Sequence, residues 1–524
     1  MKDKTGLLDE LDWGNAVLIA GERLYEAEIN GVRVGDQVLA PGLQPYNYRY
    51  TYDTHNVTKL VKRGVNGIGV VMGEGRYSGI LTAAGNYRNN YGDTLGHLAL
   101  LVVTLRNGTK IEIPTGTQWQ ANTGPLDLSE IYNGEKYDSW LEARLKGWST
   151  GQFNSSNWLP VKELDQFQGA LIPLDGPPVK ITQEIQPQDI FMSPSNKTVV
   201  DFGHNLVGWV RLNVTGPAGT NITLRHAEVL ENGELALRPL RRTSATDWLV
   251  LHWNAREHDG CAIFRPRHPA RNRQNCMEPV KPSAIWGDIA VGGPFNHYLA
   301  YGDIGMLREQ YEQARAWVDS GIPRDESGLW QRNTYQFRDW LDPKAPADDP
   351  GDTTTNKYLV ADAYLVRMTE YKLSLALDNQ EAAASYTKQR RSLINAFRSA
   401  WMSNGTIANQ IQTAYALGLQ FGLFAKGREQ DSAVSTLQKH IVEKDHLVGT
   451  GFALAANNAT EDFYSMLLQT KVPSSLYQVV QGGTTTWERW DSLLPGGRVN
   501  PGEITSFNHY AFGSVADWTH QAAT

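Results

Sequence analysis

Residues 482–492 read Gly482-Gly483-Thr484-Thr485-Thr486-Trp487-Glu488-Arg489-Trp490-Asp491-Ser492, and Ser506-Phe507-Asn508-His509-Tyr510 follows soon after. A glutamate set between two tryptophans can be held in a partly desolvated cleft, where its basicity is tuned and a sugar ring can stack on the indole faces. That is the setting a general base needs. Arg489 and Asp491 can orient or balance the carboxylate, and His509 can hydrogen-bond sugar hydroxyls. The same residues would equally serve as a structural aromatic cluster at the start of a helix.

A second group has the same flavour. Ser283-Ala284-Ile285-Trp286-Gly287-Asp288 and Phe337-Arg338-Asp339-Trp340-Leu341-Asp342 again set carboxylates beside tryptophans. Hydrolysis of a glycosidic bond needs two carboxyl groups, about 5 Å apart for retention or about 6.5–9.5 Å apart for inversion, where a water must fit between them. Asp288, Asp339 and Glu488 are therefore expected to line one opening, although each taken alone is an ordinary helix cap or surface acid. The chain's 16 Trp and 22 Tyr suit stacking on carbohydrate, and large aromatics also fill cores. Other chemistries find no support. There is no Walker-type phosphate loop, no Gly-x-Ser-x-Gly elbow and no His-Glu-x-x-His pair, so no cofactor or metal is expected. Asn133-Gly134-Glu135-Lys136-Tyr137-Asp138 reads as a turn leading into a strand edge, with a sugar site in a β domain as its other use.

The elements that must position these residues change character along the chain. Up to about residue 255 the pattern is β. Strand 24–29 alternates and turns at Asn30-Gly31 into Val32-Arg33-Val34, a two-residue hairpin signal. The same device recurs at Asn107-Gly108, between 98–105 and 110–113, and at Asn232-Gly233, between 222–230 and 234–237. Many short strands punctuated by Gly, Pro and Asn imply two β-sandwiches, with the Pro-rich link 171–178 as their boundary. Beyond about residue 284 the period becomes helical, with stripes at Ala361, Tyr364, Leu365, Met368, Tyr371, Leu375 and at Ala383, Tyr386, Leu393, Phe397, Trp401. Further helices are expected over 305–319, 410–424, 429–444 and 460–469. Serial helical hairpins suit an α/α toroid, and periodicity alone leaves an α-solenoid open. The expected division is 1–170 and 171–255 as two β-sandwiches, 256–283 as an anomalous junction rich in arginine, and 284–524 as the helical domain.

Composition narrows the partners. At 524 residues the chain is too long for a single small module. It holds 41% hydrophobic and 20% charged residues with a net charge of −7, a globular balance that suggests neither a nucleic-acid surface nor a polybasic membrane contact. No apolar run approaches the ~18 residues of a membrane span, and the opening residues lack the apolar core of a secretory signal. Cys261 and Cys276 are too few for a disulfide framework. Eight Asn-x-Ser/Thr sequons, at Asn56, Asn107, Asn154, Asn196, Asn213, Asn221, Asn404 and Asn458, favour a secreted glycoprotein.

Taken in order, these motifs resemble the α-L-rhamnosidases of glycoside hydrolase family 78. The likeness runs through Tyr25-Glu26-Ala27-Glu28-Ile29-Asn30-Gly31, Ile131-Tyr132-Asn133-Gly134-Glu135, Asp201-Phe202-Gly203-His204-Asn205, Leu224-Arg225-His226-Ala227-Glu228-Val229-Leu230, Trp286-Gly287-Asp288, Asp339-Trp340-Leu341, Thr486-Trp487-Glu488-Arg489-Trp490-Asp491 and Ser506-Phe507-Asn508-His509-Tyr510. The resemblance implies β-sandwiches, the second concanavalin-like and partial, followed by an incomplete (α/α)6 six-hairpin barrel. It also implies cofactor-free inverting hydrolysis of terminal α-L-rhamnosides on plant glycosides or pectic oligosaccharides. Glu488 then matches the general base, and Asp339, Trp286, Asp288, Trp490 and His509 match the rhamnose pocket. One departure stands out. The family carries an Asp-x-x-x-Arg-x-Glu-Arg-x-Gly-Trp-like run that supplies the general acid ahead of Trp-Gly-Asp, whereas this chain passes from Trp248 to Trp286 in fewer than forty residues without one. Weak or absent turnover is the expectation, with a non-catalytic sugar-binding protein as the alternative.

Overall fold

The computed structural model describes residues 13–21, 24–81, 88–164, 169–174, 176–241, 243–251, 260–262, 282–338, 346, 351–369, 372–444, 460–502 and 504–516. Contacts divide the chain into two compact units, one of residues 1–227 with 240–272, the other of residues 228–239 with 273–524.

The first unit is built of β-strands. A five-stranded sheet runs in the order 170–173, 49–56, 13–21, 98–105, 110–114, and a three-stranded sheet in the order 32–33, 25–29, 68–72. Along Tyr25–Ile29 the residues Tyr25, Ala27 and Ile29 are buried while Glu26 is exposed, the two-residue period of a half-covered strand. Ala99, Leu101 and Val103 do the same on Leu98–Leu105, and together with Leu18, Val57 and Val61 these side chains form one core. Each large aliphatic side chain so buried contributes about 1.5–3 kcal/mol. Asn30 and Gly31 have φ of 54° and 80°, both left-handed, as a tight hairpin with strand-matching twist requires.

Two expected hairpins differ. At Asn107-Gly108 only Gly108 has positive φ, and the Leu105 N–H bonds Thr109 O at 2.8 Å, so the loop is longer than two residues. The strand expected over 222–230 stops early: Asn221–Arg225 pairs with Thr246–Val250, and the hairpin at Asn232-Gly233 keeps only Leu230–Glu231 against Glu234–Leu235. The reason lies at His226, whose N–H bonds Ala245 O at 3.0 Å and whose ring meets Asp247 at 2.8 Å, fastening 221–226 to 245–250. Gly134–Asp138 is no edge either, since it lies between Thr246–Val250 and Leu126–Glu130.

The second unit is helical. Among the described residues its α-helices are Ile289–Tyr301, Ile304–Ala316, Lys357–Met368, Lys372–Ala376, Gln380–Trp401, Gln412–Gln420, Arg428–Lys444, Thr460–Leu467 and Ser475–Val480. Side-chain caps start several of them: Asp303 accepts the Met306 N–H, Asn356 the Tyr358 N–H, Asn379 the Ala382 N–H and Ser474 the Leu476 N–H. Of the expected stripe, Ala361, Tyr364, Leu365 and Met368 fall on Lys357–Met368 and Leu375 on Lys372–Ala376, while Tyr371 lies outside the described residues. Ala383, Leu393 and Phe397 are buried on Gln380–Trp401, and Leu393 and Phe397 pack with Leu359, Leu365, Tyr415 and Leu437. Asp362, fully buried in that core, accepts the Trp330 N–H at 3.0 Å, Trp401 Nε1–H at 2.8 Å and Arg332 at 2.8 Å. Burial pushes this carboxyl up and those donors pull it back. Among the described residues the helices do not close a barrel. No described helix is long and apolar enough to cross a membrane.

Candidate functional site

Glu488 sits on one of two facing chain segments. The Glu488 N–H donates to Ser506 O at 2.8 Å and the His509 N–H to Thr486 O at 2.8 Å. Two threonine hydroxyls add to this ladder, Thr485 to Phe507 O and Thr486 to His509 O, each at 2.6 Å. β-branched threonines suit an extended segment, and their hydroxyls tie its edge. The Ser506 N–H then returns to Glu488 Oε2 at 3.1 Å. That bond fixes one carboxylate oxygen. Among the described residues nothing bonds Oε1, which leaves the half-buried carboxylate an oxygen with which to take a proton from water. Arg489 does not pair with Glu488. It binds Asp491 at 2.6 Å, and Asn500 donates to the other oxygen of Asp491 at 2.8 Å.

The two tryptophans beside Glu488 have opposite fates. Trp487 is 2% exposed and packs edge-on against Phe507 and Tyr477 in a core with Val499 and Ala236, so it offers no face to a sugar. This corrects the expectation that both indoles are open for stacking. Trp490 is half-buried, with one face stacked on Phe512 at 3.8 Å between ring centroids. His509 is 4% exposed and lies parallel to Tyr510 at 5.4 Å.

Trp286 and Asp288 form a second cluster, and the structure explains each letter of Trp-Gly-Asp. Asp288 is 3% exposed, and its two oxygens accept the Ile285 N–H at 2.7 Å and Trp317 Nε1–H at 2.9 Å. Burial raises its pKa to about 6, against the pull of those donors. Gly287 is required because a Cβ there would come within 2.1 Å of the Trp317 ring. Ile285 is held at φ 70°, a left-handed conformation that β-branched residues rarely adopt. The product of this turn is Trp286, half-buried and edge-on to Phe337 at 5.7 Å, with the exposed Tyr335 at 5.1 Å beyond it. Asp288 thus fixes the turn that presents Trp286. Asp339, and with it the second expected carboxylate of this group, lies outside the described residues. Among the described residues no group of three or more His, Cys, Asp or Glu side chains converges as metal ligands would.

Residues 240–523 match the model of the bacterial α-L-rhamnosidase 6 hairpin glycosidase domain. The chain belongs to the α-L-rhamnosidase family. Two further family models match, the α-L-rhamnosidase N-terminal domain over residues 15–183 and the bacterial α-L-rhamnosidase concanavalin-like domain over 192–270. A crystal structure of native α-L-rhamnosidase from Aspergillus terreus superposes with a TM-score of 0.91 at 41% identity, covering 99% of this chain and 74% of that one. The Streptomyces avermitilis α-L-rhamnosidase complexed with L-rhamnose superposes with a TM-score of 0.84 at 27% identity, covering 98% and 60%. A curated α-L-rhamnosidase from that organism is 28% identical over 95% of this chain, and the chain spans 58% of that relative's length.

Sequence reasoning passed over Tyr335, Glu228 and Arg238. The last two lie in residues 228–239, which pack with the helical unit, and only the presence of Glu228 within the Leu224–Leu230 motif hinted at a role. A cleft of about 2230 Å³ lies in the β unit, lined by Trp119, Trp148, Trp158 and His97 among others. Its lining includes Glu135 and Tyr137 of the Asn133–Asp138 run, and none of Trp286, Asp288, Glu488, Trp490 and His509. His97 is driven down to about 4 by burial, and among the described residues neither of its ring nitrogens has a hydrogen-bond partner.

Proposed function

We propose that this chain acts as a glycoside hydrolase on terminal α-L-rhamnose of plant glycosides or pectic oligosaccharides, with inversion and with Glu488 as general base. The observation that carries the reading is the half-held carboxylate: Ser506 N–H anchors Oε2 while Oε1 is unengaged by described residues. In this reading Oε1 takes a proton from water as the water oxygen bonds the anomeric carbon and the glycosidic C–O bond breaks. Trp286 and Trp490 supply faces for the sugar, His509 a hydrogen-bonding edge, and Asp339 a further pocket carboxylate. No cofactor enters.

Without the family's acid-bearing run, the departing oxygen must leave as an anion or take its proton from solvent. Acid assistance contributes about 10²–10⁴-fold, so turnover depends on the leaving group. The test is rhamnose release from a nitrophenyl α-L-rhamnoside and from an alkyl α-L-rhamnoside. The expected result is measurable cleavage of the first, abolished by Glu488→Gln, with little cleavage of the second. Tight rhamnose binding with no cleavage of either would favour the non-catalytic sugar-binding protein, a reading the missing run also supports.

A further inference from the structure

Residues 228–239 bind the stretch from Val499 to Phe507, part of which faces the segment that carries Glu488. Glu228 accepts the Ser506 O–H at 3.2 Å through Oε1 and the Phe507 N–H at 3.2 Å through Oε2. The same Ser506 offers its N–H to Glu488. One serine therefore stands between two carboxylates, taking its backbone position from one and passing it to the other. At the far end of the arm Glu231 accepts the Val499 N–H at 2.9 Å. Arg238 donates to Val499 O at 3.1 Å, Asn500 O at 2.5 Å and Gly502 O at 3.3 Å. Asn500 in turn holds Asp491, and Asp491 holds Arg489, the neighbour of Glu488. Ala236 is buried against Trp487 and Phe507, which seats the arm on the core beneath the site.

We propose that Glu228 is a positioning residue for Glu488, acting through the Ser506–Phe507 backbone. The inference rests on the rhamnosidase reading for its effect on turnover, but its structural content does not. The Glu228 side chain works by reach: it holds two donors at one spacing, so that Ser506 N–H meets Glu488 Oε2 in a single orientation. A general base aimed in this way acts in the transition state, and its misplacement lowers kcat while leaving KM unchanged. A general loosening of the fold has no such signature.

The test uses the full chain with Glu228→Gln and Glu228→Asp. Gln keeps the length of the side chain, its carbonyl oxygen accepting the Phe507 N–H while its amide donates to the Ser506 hydroxyl. Asp keeps the charge and falls one methylene short. Two measurements are made on each: amide hydrogen exchange at Ser506 and Phe507, and kcat and KM on the nitrophenyl rhamnoside. Glu228→Asp is expected to speed exchange at both amides and to lower kcat by about tenfold or more at unchanged KM. Glu228→Gln is expected to stay within about threefold of the parent chain on both measures. Unchanged exchange in Glu228→Asp, or damage by Gln with Asp unaffected, overturns the proposal. If the parent chain does not turn over, the rhamnosidase reading fails by itself, and the exchange data still decide the role of Glu228.

Discussion

Two carboxylates beside tryptophans have opposite fates in this molecule. Asp288 is buried, with both oxygens bonded by its own turn and by Trp317, and it is spent on holding Trp286 in place. Glu488 is half-buried, with one oxygen held and the other unengaged by described residues. The local sequences are alike, Trp-Gly-Asp and Trp-Glu-Arg-Trp-Asp. What separates them is how many donors reach the carboxylate. A carboxylate whose two oxygens are both taken builds structure, and one with an oxygen to spare can do chemistry.

The comparison breaks first at Glu488. Glu488→Gln should lower nitrophenyl rhamnoside turnover by about 10²–10⁴-fold while the melting temperature stays where it was, as measured by steady-state rates and thermal unfolding. Trp487 and Trp490 sharpen it. Trp487→Ala removes a buried ring and should cost about 3–5 kcal/mol in urea unfolding, whereas Trp490→Ala should leave stability near the parent value and raise KM a few-fold.

Asp288 should reveal itself through pH. Its carboxyl is raised from 3.8 to about 6 by burial, so between those values the unfolded chain gives up this proton before the folded one does. Stability from this group is full below about pH 4, falls as pH rises and levels off above about pH 6. The unfolding free energy of the parent chain relative to Asp288→Asn should drop by up to roughly 3 kcal/mol between pH 4 and pH 7.5, read from urea midpoints. A flat difference would mean that Asp288 is ionised throughout. The smallest effect is expected at the rim, where Tyr335→Ala, removing an exposed ring edge-on to Phe337, should cost about 0.5–1.5 kcal/mol in rhamnose binding and nothing measurable in folding.

Much of the fold is legible in the sequence because it is local. Of the stripe Ala383, Tyr386, Leu393, Phe397, Trp401, the residues Ala383, Leu393 and Phe397 are buried on Gln380–Trp401 and the other two half-buried, and the helix expected over 429–444 is found at Arg428–Lys444. Asn30-Gly31 turns as its residue types demand. The site is less legible because its decisive contacts are distant. Nothing near Asp288 announces Trp317, the donor 29 residues on. Adjacent tryptophans carry no mark of which is core and which is surface, so Trp487 and Trp490 look equivalent until packed. The strand expected over 222–230 fails for the same reason, since its true partner is Thr246–Val250 and its last residues turn away to serve another unit.

The arm also sets a schedule. Glu228 and Ser506 are separated by 278 residues, so at about 5–20 residues per second the arm leaves the ribosome tens of seconds before the segment it will hold exists. Through that interval Glu228, Glu231 and Arg238 wait for the groups of residues 499–507 that they bind in the folded chain. The helical unit can gather its local hairpins while it is being made, but the surroundings of Glu488 are assembled last, by a stretch of chain that was among the earlier parts synthesised.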